Sequence, residues 1–182
     1  MADFIYRGFK AYRLYKLLED GTFDKTKPLS YGKLLADTVK ITPASPTTND
    51  IFEEGDPVNP VISDDTPGVT NIAMTLMQQD PKVRRDLLGE TLTMVDNRVV
   101  AADFGDVKQI FMAIELENRN GLIKRFNRIK VNAMDEGNYL ETAFMQLPVN
   151  FKVMKPLNAA LPVKETIYPV GVIMPDDEEV AG

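Results

Sequence analysis

Val69-Thr70-Asn71-Ile72-Ala73-Met74-Thr75-Leu76-Met77 alternates apolar and polar side chains as a strand with one buried face does. The chain then passes through Asp80-Pro81-Lys82-Val83-Arg84-Arg85-Asp86-Leu87-Leu88-Gly89 into Thr91-Leu92-Thr93-Met94-Val95. The middle segment reads as a helix set between strands. Asp80 can accept hydrogen bonds from the first free helical N–H groups, Pro81 suits the first helical position, and Gly89 suits the left-handed residue past the end. Val83, Leu87 and Leu88 then share one face. A helix of about ten residues is too short to be stable alone, so it must cover the apolar face of a sheet. The expected fold is mainly β with one short α-helix, a β-sandwich or barrel with a helical flank.

Length and composition narrow the function. The 182 residues suit one domain over residues 1–158, with residues 159–182 left as a C-terminal arm. The chain has no Cys, so disulfides, thiolate metal sites and cysteine nucleophiles are impossible. It has no His either, which removes the commonest general base and the commonest metal ligand. Any catalysis would fall to Asp, Glu, Lys, Ser or Tyr, and a protein without enzymatic activity or cofactor is expected. The first residues carry no apolar signal region, and no run approaches the roughly 18 apolar residues of a membrane span. A soluble intracellular product with no membrane partner is the expectation.

The net charge of −6 is concentrated in one place. Asp50, Glu53, Glu54, Asp56, Asp64 and Asp65 fall together with no Lys or Arg among them; without them the chain has 21 acidic residues, matching its 21 basic ones. Pro57, Pro60, Pro67 and Gly55 argue against regular structure throughout, so residues 43–67 read as a projecting loop that could hold a short edge strand at residues 58–62. The plain reading is a solvated, like-charged surface loop. The functional reading is an arm that docks on a neighbouring subunit or presents negative potential. A calcium site is a third option, weakened by the lack of Asp-x-Asp-x-Asp-Gly spacing.

Residues 9–18 form an aromatic-rich first strand closed by a turn at Glu19-Asp20-Gly21-Thr22, and residues 34–42 contain a further alternating segment. A hairpin is expected over residues 91–95 and 98–102. The clearest hairpin joins residues 107–117 to residues 122–131 through Asn120-Gly121, a strong signal for a two-residue turn because both residues tolerate positive φ. A two-residue turn pairs Glu117 with Lys124, and a four-residue loop pairs Glu115 with Lys124. Either register puts Ile110, Met112, Ile114 and Leu116 on a core face with Ile123, Ile129 and Val131. Phe111, Ala113, Glu115 and Glu117 share the other face with Lys124, Phe126, Arg128 and Lys130, a charged surface suited to a partner subunit or a water-filled bore.

Each chemical reading of this hairpin has a plainer competitor. Glu115 and Glu117 lie roughly 7 Å apart along one strand face, as a glycosidase-like carboxylate pair would, but cross-strand pairing with Lys124 accounts for them better. Lys124, Arg125, Arg128 and Lys130 could touch phosphates, yet alternation splits Arg125 from the others and acids stand opposite. No Gly-rich phosphate loop, nucleophile elbow or metal spacing occurs. The nine Met residues suit adaptable core packing. Beyond Ala159, the Pro-broken apolar run that includes Ile167, Tyr168, Val170 and Val172 ends in Asp176-Asp177-Glu178-Glu179. It either extends along a neighbour's sheet edge or packs back on its own domain.

Four segments carry a family resemblance. Leu17-Leu18-Glu19-Asp20-Gly21-Thr22-Phe23 with Pro28-Leu29, then Val39-Lys40-Ile41-Thr42-Pro43-Ala44-Ser45, then Asp50-Ile51-Phe52-Glu53-Glu54-Gly55-Asp56, then Asp86-Leu87-Leu88-Gly89, resemble in order and rough spacing the major tail (tail tube) proteins of long-tailed, siphovirus-like bacteriophages. The likeness covers residues 12–157. It implies a β-barrel or sandwich of the phage tail tube type, six copies per ring, and rings stacked into a conduit for DNA in the virion. It also implies assembly in the bacterial host cytoplasm, with tape measure, tail terminator and distal tail proteins as further partners, and no catalytic residues to carry over. Passing DNA is not held specifically, since each phosphate contact would slow it. The loop in that family reaches a neighbouring subunit, which makes Asp50, Ile51, Phe52, Glu53, Glu54, Asp56, Val58 and Ile62 the expected inter-subunit contacts, together with Ile167, Tyr168, Val170 and Val172 of the arm. The acidic loop is more charged here than in the family, and the arm has no counterpart there. Another ring-forming tail or connector protein, or a monomeric β-barrel binding domain or enzyme, is the alternative.

Overall fold

The computed structural model describes residues 8–29, 31–53, 56–66, 68–77, 81–96, 98–103, 109–133 and 146–169, with the backbone alone described across residues 47–66. Strands β1 (Phe9–Lys16), β2 (Lys40–Thr42), β5 (Asn71–Leu76), β8 (Ile110–Asn118), β9 (Ile123–Ala133), β10 (Leu147–Val153) and β11 (Lys164–Ile167) form one antiparallel sheet that curls into a half-barrel. Its order is β1-β8-β9-β10-β5-β2, and β11 joins on β9. Two hairpins stand off this sheet, β3 (Thr47–Glu53) with β4 (Asp56–Thr66), and β6 (Thr91–Val95) with β7 (Arg98–Asp103).

Period-two burial builds the core. In β5, Ile72, Met74 and Leu76 are buried while Asn71, Ala73 and Thr75 are not. They meet Leu14, Met112, Ile114, Phe126, Ile129, Val149 and Phe151 inside the curl. Burial of each such side chain contributes about 1.5–3 kcal/mol. The flanking helix is short and changes pitch. Pro81–Val83 is α-helical, here α1, and Arg84–Leu88 continues as a π-turn. Gly89 closes it at φ 76° by donating its N–H to the Arg84 carbonyl. Val83 and Leu87 are buried and Leu88 packs beside them, as their spacing requires. Asp80, the expected N-cap, lies outside the described residues.

The acidic segment is a correction. Residues 47–53 and 56–66 are not an irregular loop, because β3 and β4 pair from Thr47↔Thr66 to Ile51↔Ile62. Pro57 and Pro60 fall where pairing breaks: the register shifts on either side of Phe52↔Pro60, and Glu53 pairs next with Asp56. A two-stranded ribbon leaves one edge of each strand unpaired, so a missing proline N–H is tolerated there.

The β8–β9 hairpin departs from both expected registers. Its loop has three residues, Arg119-Asn120-Gly121, closed by the Asn118 N–H donating to the Leu122 carbonyl at 2.9 Å. Asn118 Oδ1 accepts from the Asn120 and Leu122 N–H groups, and Gly121 takes φ 83°. Glu117 is therefore opposite Ile123, Leu116 opposite Lys124, and Glu115 opposite Arg125. A slip of one residue exchanges the faces of a strand. Phe126 thus enters the core opposite Ile114, while Ile123 and Arg125 turn to the polar face. A bulge then places Asn127 and Arg128 across from Ala113, after which Met112↔Ile129 restores Ile129 and Val131 to the core.

The same bulge divides the other edge of β9 between two partners. β10 pairs with Ile129–Ala133 and β11 with residues 123–126. Asn127 Nδ2 donates to the Pro162 carbonyl at 2.6 Å, and Arg128 Nη1 donates to the Lys155 carbonyl at 3.2 Å. The two bulged residues thus hold the connection that carries the chain from β10 to β11. Of the two alternatives for the arm, residues 164–167 adopt packing on their own domain.

Candidate functional site

The polar face of β1, β8, β9 and β11 carries a network of buried and half-buried charges. Glu115 accepts from Tyr15 Oη at 2.7 Å and from Arg125 Nε at 2.7 Å, and Arg125 Nη1 reaches Glu165 at 2.7 Å. Glu117 accepts from Lys10 Nζ at 2.6 Å and Arg13 Nη2 at 2.7 Å. Glu115, Glu117 and Arg125 are all buried. The sequence puts them together because Arg13 lies opposite Glu115, and Glu115 opposite Arg125, across three adjacent strands. Phe23 closes the end of the group, 4.9 Å from the Tyr15 ring and 5.9 Å from the Arg125 guanidinium.

Three cations balance three carboxylates here, so the cluster is electrically closed. Hydrogen bonds from Lys10 and then Arg13 hold the Glu117 carboxyl below the usual carboxylate range, against an opposing effect of burial. Burial, then the bond to Glu115, drives the Tyr15 phenol upward, so it stays a donor. Burial lowers the Arg125 value, but bonds to Glu115 and Glu165 outweigh it and raise it. Both buried carboxylates are committed to fixed donors. This geometry suits a weld between strands better than a pair of carboxylates poised for proton transfer.

A second charged cluster ties the helix to the sheet. Asp86, 6% exposed, accepts from Tyr31 Oη at 3.1 Å, Lys16 Nζ at 3.1 Å and Arg85 Nε at 2.9 Å. Burial alone would raise its pKa, and the bonds from Arg85 and Lys16 more than offset that, leaving it lowered. Next to it, buried Glu90 takes both Arg84 Nε and Nη2, at 2.7 and 2.6 Å.

The expected polar set of Glu115, Glu117, Lys124, Arg128 and Lys130 is split by the β9 bulge. The pairing of Glu115 or Glu117 with Lys124 is corrected: the cross-strand partner of Glu115 is Arg125, and Lys124 sits with Leu116 at the mouth of a cleft. Arg128 lies 4.5 Å over the Phe111 ring, and Lys130 pairs opposite Phe111 in the far half of the strand. Lys10, Arg13, Tyr15, Arg125 and Glu165 were the residues missed. Alternation within β1 put Arg13 and Tyr15 on one face, Arg125 needed the three-residue turn to be placed, and Glu165 in β11 had no local signal.

Of the expected inter-subunit positions, Asp50, Ile51, Phe52 and Glu53 lie in β3, and Asp56, Val58 and Ile62 in β4. Glu54, Val170 and Val172 lie outside the described residues. Ile167 pairs with Ile123, and Tyr168 is exposed beside the cleft. An unforeseen apolar surface is the β6–β7 hairpin, where Met94, Val95, Val99 and Val100 are 50%, 53%, 37% and 60% exposed. Among the described residues, no helix is long and apolar enough to cross a membrane, and no group of three or more Asp or Glu side chains is placed to hold a metal ion. No family model matches the chain, and no curated protein sequence matches it significantly.

Proposed function

We propose that the chain is a structural subunit of a phage tail tube, assembling into stacked, six-membered rings that conduct DNA, with no enzymatic role. The observation that carries association is the β6–β7 hairpin. Two strands alone are marginally stable in water, and this pair leaves four large apolar side chains in solvent. A neighbouring subunit that covers them stabilises both. The order of the four resembling segments narrows association to the tail tube type, and the curled antiparallel sheet is compatible with it.

In this reading the β3–β4 ribbon, with Asp50, Glu53 and Asp56, reaches the adjacent subunit or ring. Contacts between unlike surfaces of identical chains close into rings or run on as filaments, which is how one protein lengthens a tube. The excess of acidic residues keeps DNA from binding the bore. The saturated carboxylates Glu115 and Glu117 favour a mechanical over a catalytic role. Tape measure, terminator and distal tail proteins are the further partners, and the virion is the location.

Negative-stain electron microscopy across a concentration series, with sedimentation, tests this. Open-bored tubes that lengthen with concentration are expected. Growth that stops at one ring would move the assignment to a connector or completion protein, and a single slow species at every concentration would overturn it.

A further inference from the structure

At the turn end of the β8–β9 hairpin the sheet leaves an open cleft of about 550 Å3. Its walls are apolar, formed by Val39 and Ile41 from one side and by Leu116 and Leu122 from the other. Two ammonium groups stand on the β9–β11 side. Lys124 is opposite Thr166, and Lys164 lies two residues from Thr166, so the lysines are diagonal neighbours on one face. Like charges in that relation repel. Among the described residues neither has a carboxylate within ion-pairing distance, because Glu117, the one acid on the cleft wall, is bound by Lys10 and Arg13. The cleft therefore fits an extended segment that is apolar first and acidic afterwards.

This chain carries such a segment, and it starts at the cleft. Tyr168 is on the cleft wall, and Pro169 packs against Gly121 at the hairpin turn. Next come Val170-Gly171-Val172-Ile173-Met174, then Pro175, then Asp176-Asp177-Glu178-Glu179. The seven residues from Val170 to Asp176 span up to about 24 Å when extended, long enough to double back across the opening.

We propose that the cleft is the docking site of the chain's own C-terminal segment. Residues 170–174 cover Val39, Ile41, Leu116 and Leu122, and the carboxylates of residues 176–179 neutralise Lys124 and Lys164. The chain's own segment is favoured over that of a second copy because a tether of a few residues gives an effective concentration in the millimolar range. The inference does not rest on ring formation, and its failure would leave the tail tube reading untouched.

The absence of native cysteine makes the test direct. In the full chain, Ile41→Cys and Met174→Cys introduce a single thiol pair, one on the cleft wall and one in the segment. Mild oxidation is expected to give a disulfide within one chain, at a rate independent of protein concentration. Adding Lys124→Glu and Lys164→Glu is expected to slow it about fivefold, as the loss of two exposed ion pairs implies. Reversing residues 176–179 to Lys in that background is expected to restore the rate, a recovery that a merely misfolded variant would not show. Disulfides between chains that rise with concentration would assign the cleft to a second copy. No disulfide, or one insensitive to these charges, would overturn the proposal outright.

Discussion

Arg125 and Glu115 face each other directly across β9 and β8 and are joined twice, through Nε at 2.7 Å and Nη2 at 2.6 Å to the same carboxylate oxygen. Both side chains are buried. Removing Arg125 leaves the buried Glu115 carboxylate with the Tyr15 hydroxyl and Arg13 Nη1 at 3.8 Å, so Arg125→Met is expected to cost about 3 kcal/mol, the low end for breaking a buried pair. Replacing both residues with apolar ones should cost less than the two single changes together. Glu165→Gln should cost under about 1 kcal/mol, because Glu165 is solvent-accessible. Urea unfolding of the four variants measures this, and additive single-site losses at positions 115 and 125 would refute the coupling.

Stability should fall on the acid side. Asp86 and Glu117 both have depressed folded-state values, so their contribution is complete above the unfolded carboxylate range near about 4 and is lost as pH drops through the folded values. Tm should stay level from about pH 7 to about pH 5 and decline below about pH 4. Asp86→Asn should lower Tm at neutral pH and flatten the acid limb. An unchanged limb in that variant would show that Asp86 is not a source of the slope.

Gly21 sits at φ 78° in the turn after β1, and a Cβ there would stand 2.8 Å from Leu157 Cβ. Gly21→Ala therefore meets both an unfavourable backbone region and a contact that must shift. A loss of about 1–2 kcal/mol from the backbone alone is expected in thermal unfolding. A change below about 0.5 kcal/mol, the level of an ordinary surface substitution, would contradict it.

Val100→Asp with Met94→Lys should abolish assembly while leaving the monomer's unfolding within about 0.5 kcal/mol of the parent. Both side chains are at least half exposed, so the fold does not depend on them. Sedimentation separates the outcomes. Intact assemblies in the double variant would remove this hairpin from the contact.

Local chemistry carried much of the fold. Alternation in Ile72, Met74 and Leu76 and the stop at Gly89 were legible because each depends on nearest neighbours. The polar site was less so. Its membership turned on whether Asn120-Gly121 closed a loop of two, three or four residues, and Asn118 settled that by accepting two backbone N–H groups with its own side chain. The acidic ribbon was misread for a different reason. Pro57 and Pro60 do disfavour a ladder, yet pairing needs only the residues on either side of them, Thr47–Glu53 and 62–66. The partner of β11 could not be inferred, because a bulge at Asn127 and Arg128 has no sequence marker as plain as a glycine.

Among the described residues, β1 pairs in the sheet with β8, and the two are far apart in sequence. Arg13 and Glu117 are 104 residues apart, and β1 pairs along its length with β8. At about 5–20 residues per second, β1 leaves the ribosome about 5–20 s before β8 exists to receive it. During that time Leu14 and Tyr15, later among the most enclosed residues, have no sheet to enter. Pairing at β1 therefore waits on synthesis of β8, and a faster β8–β9 hairpin would do nothing to shorten the wait.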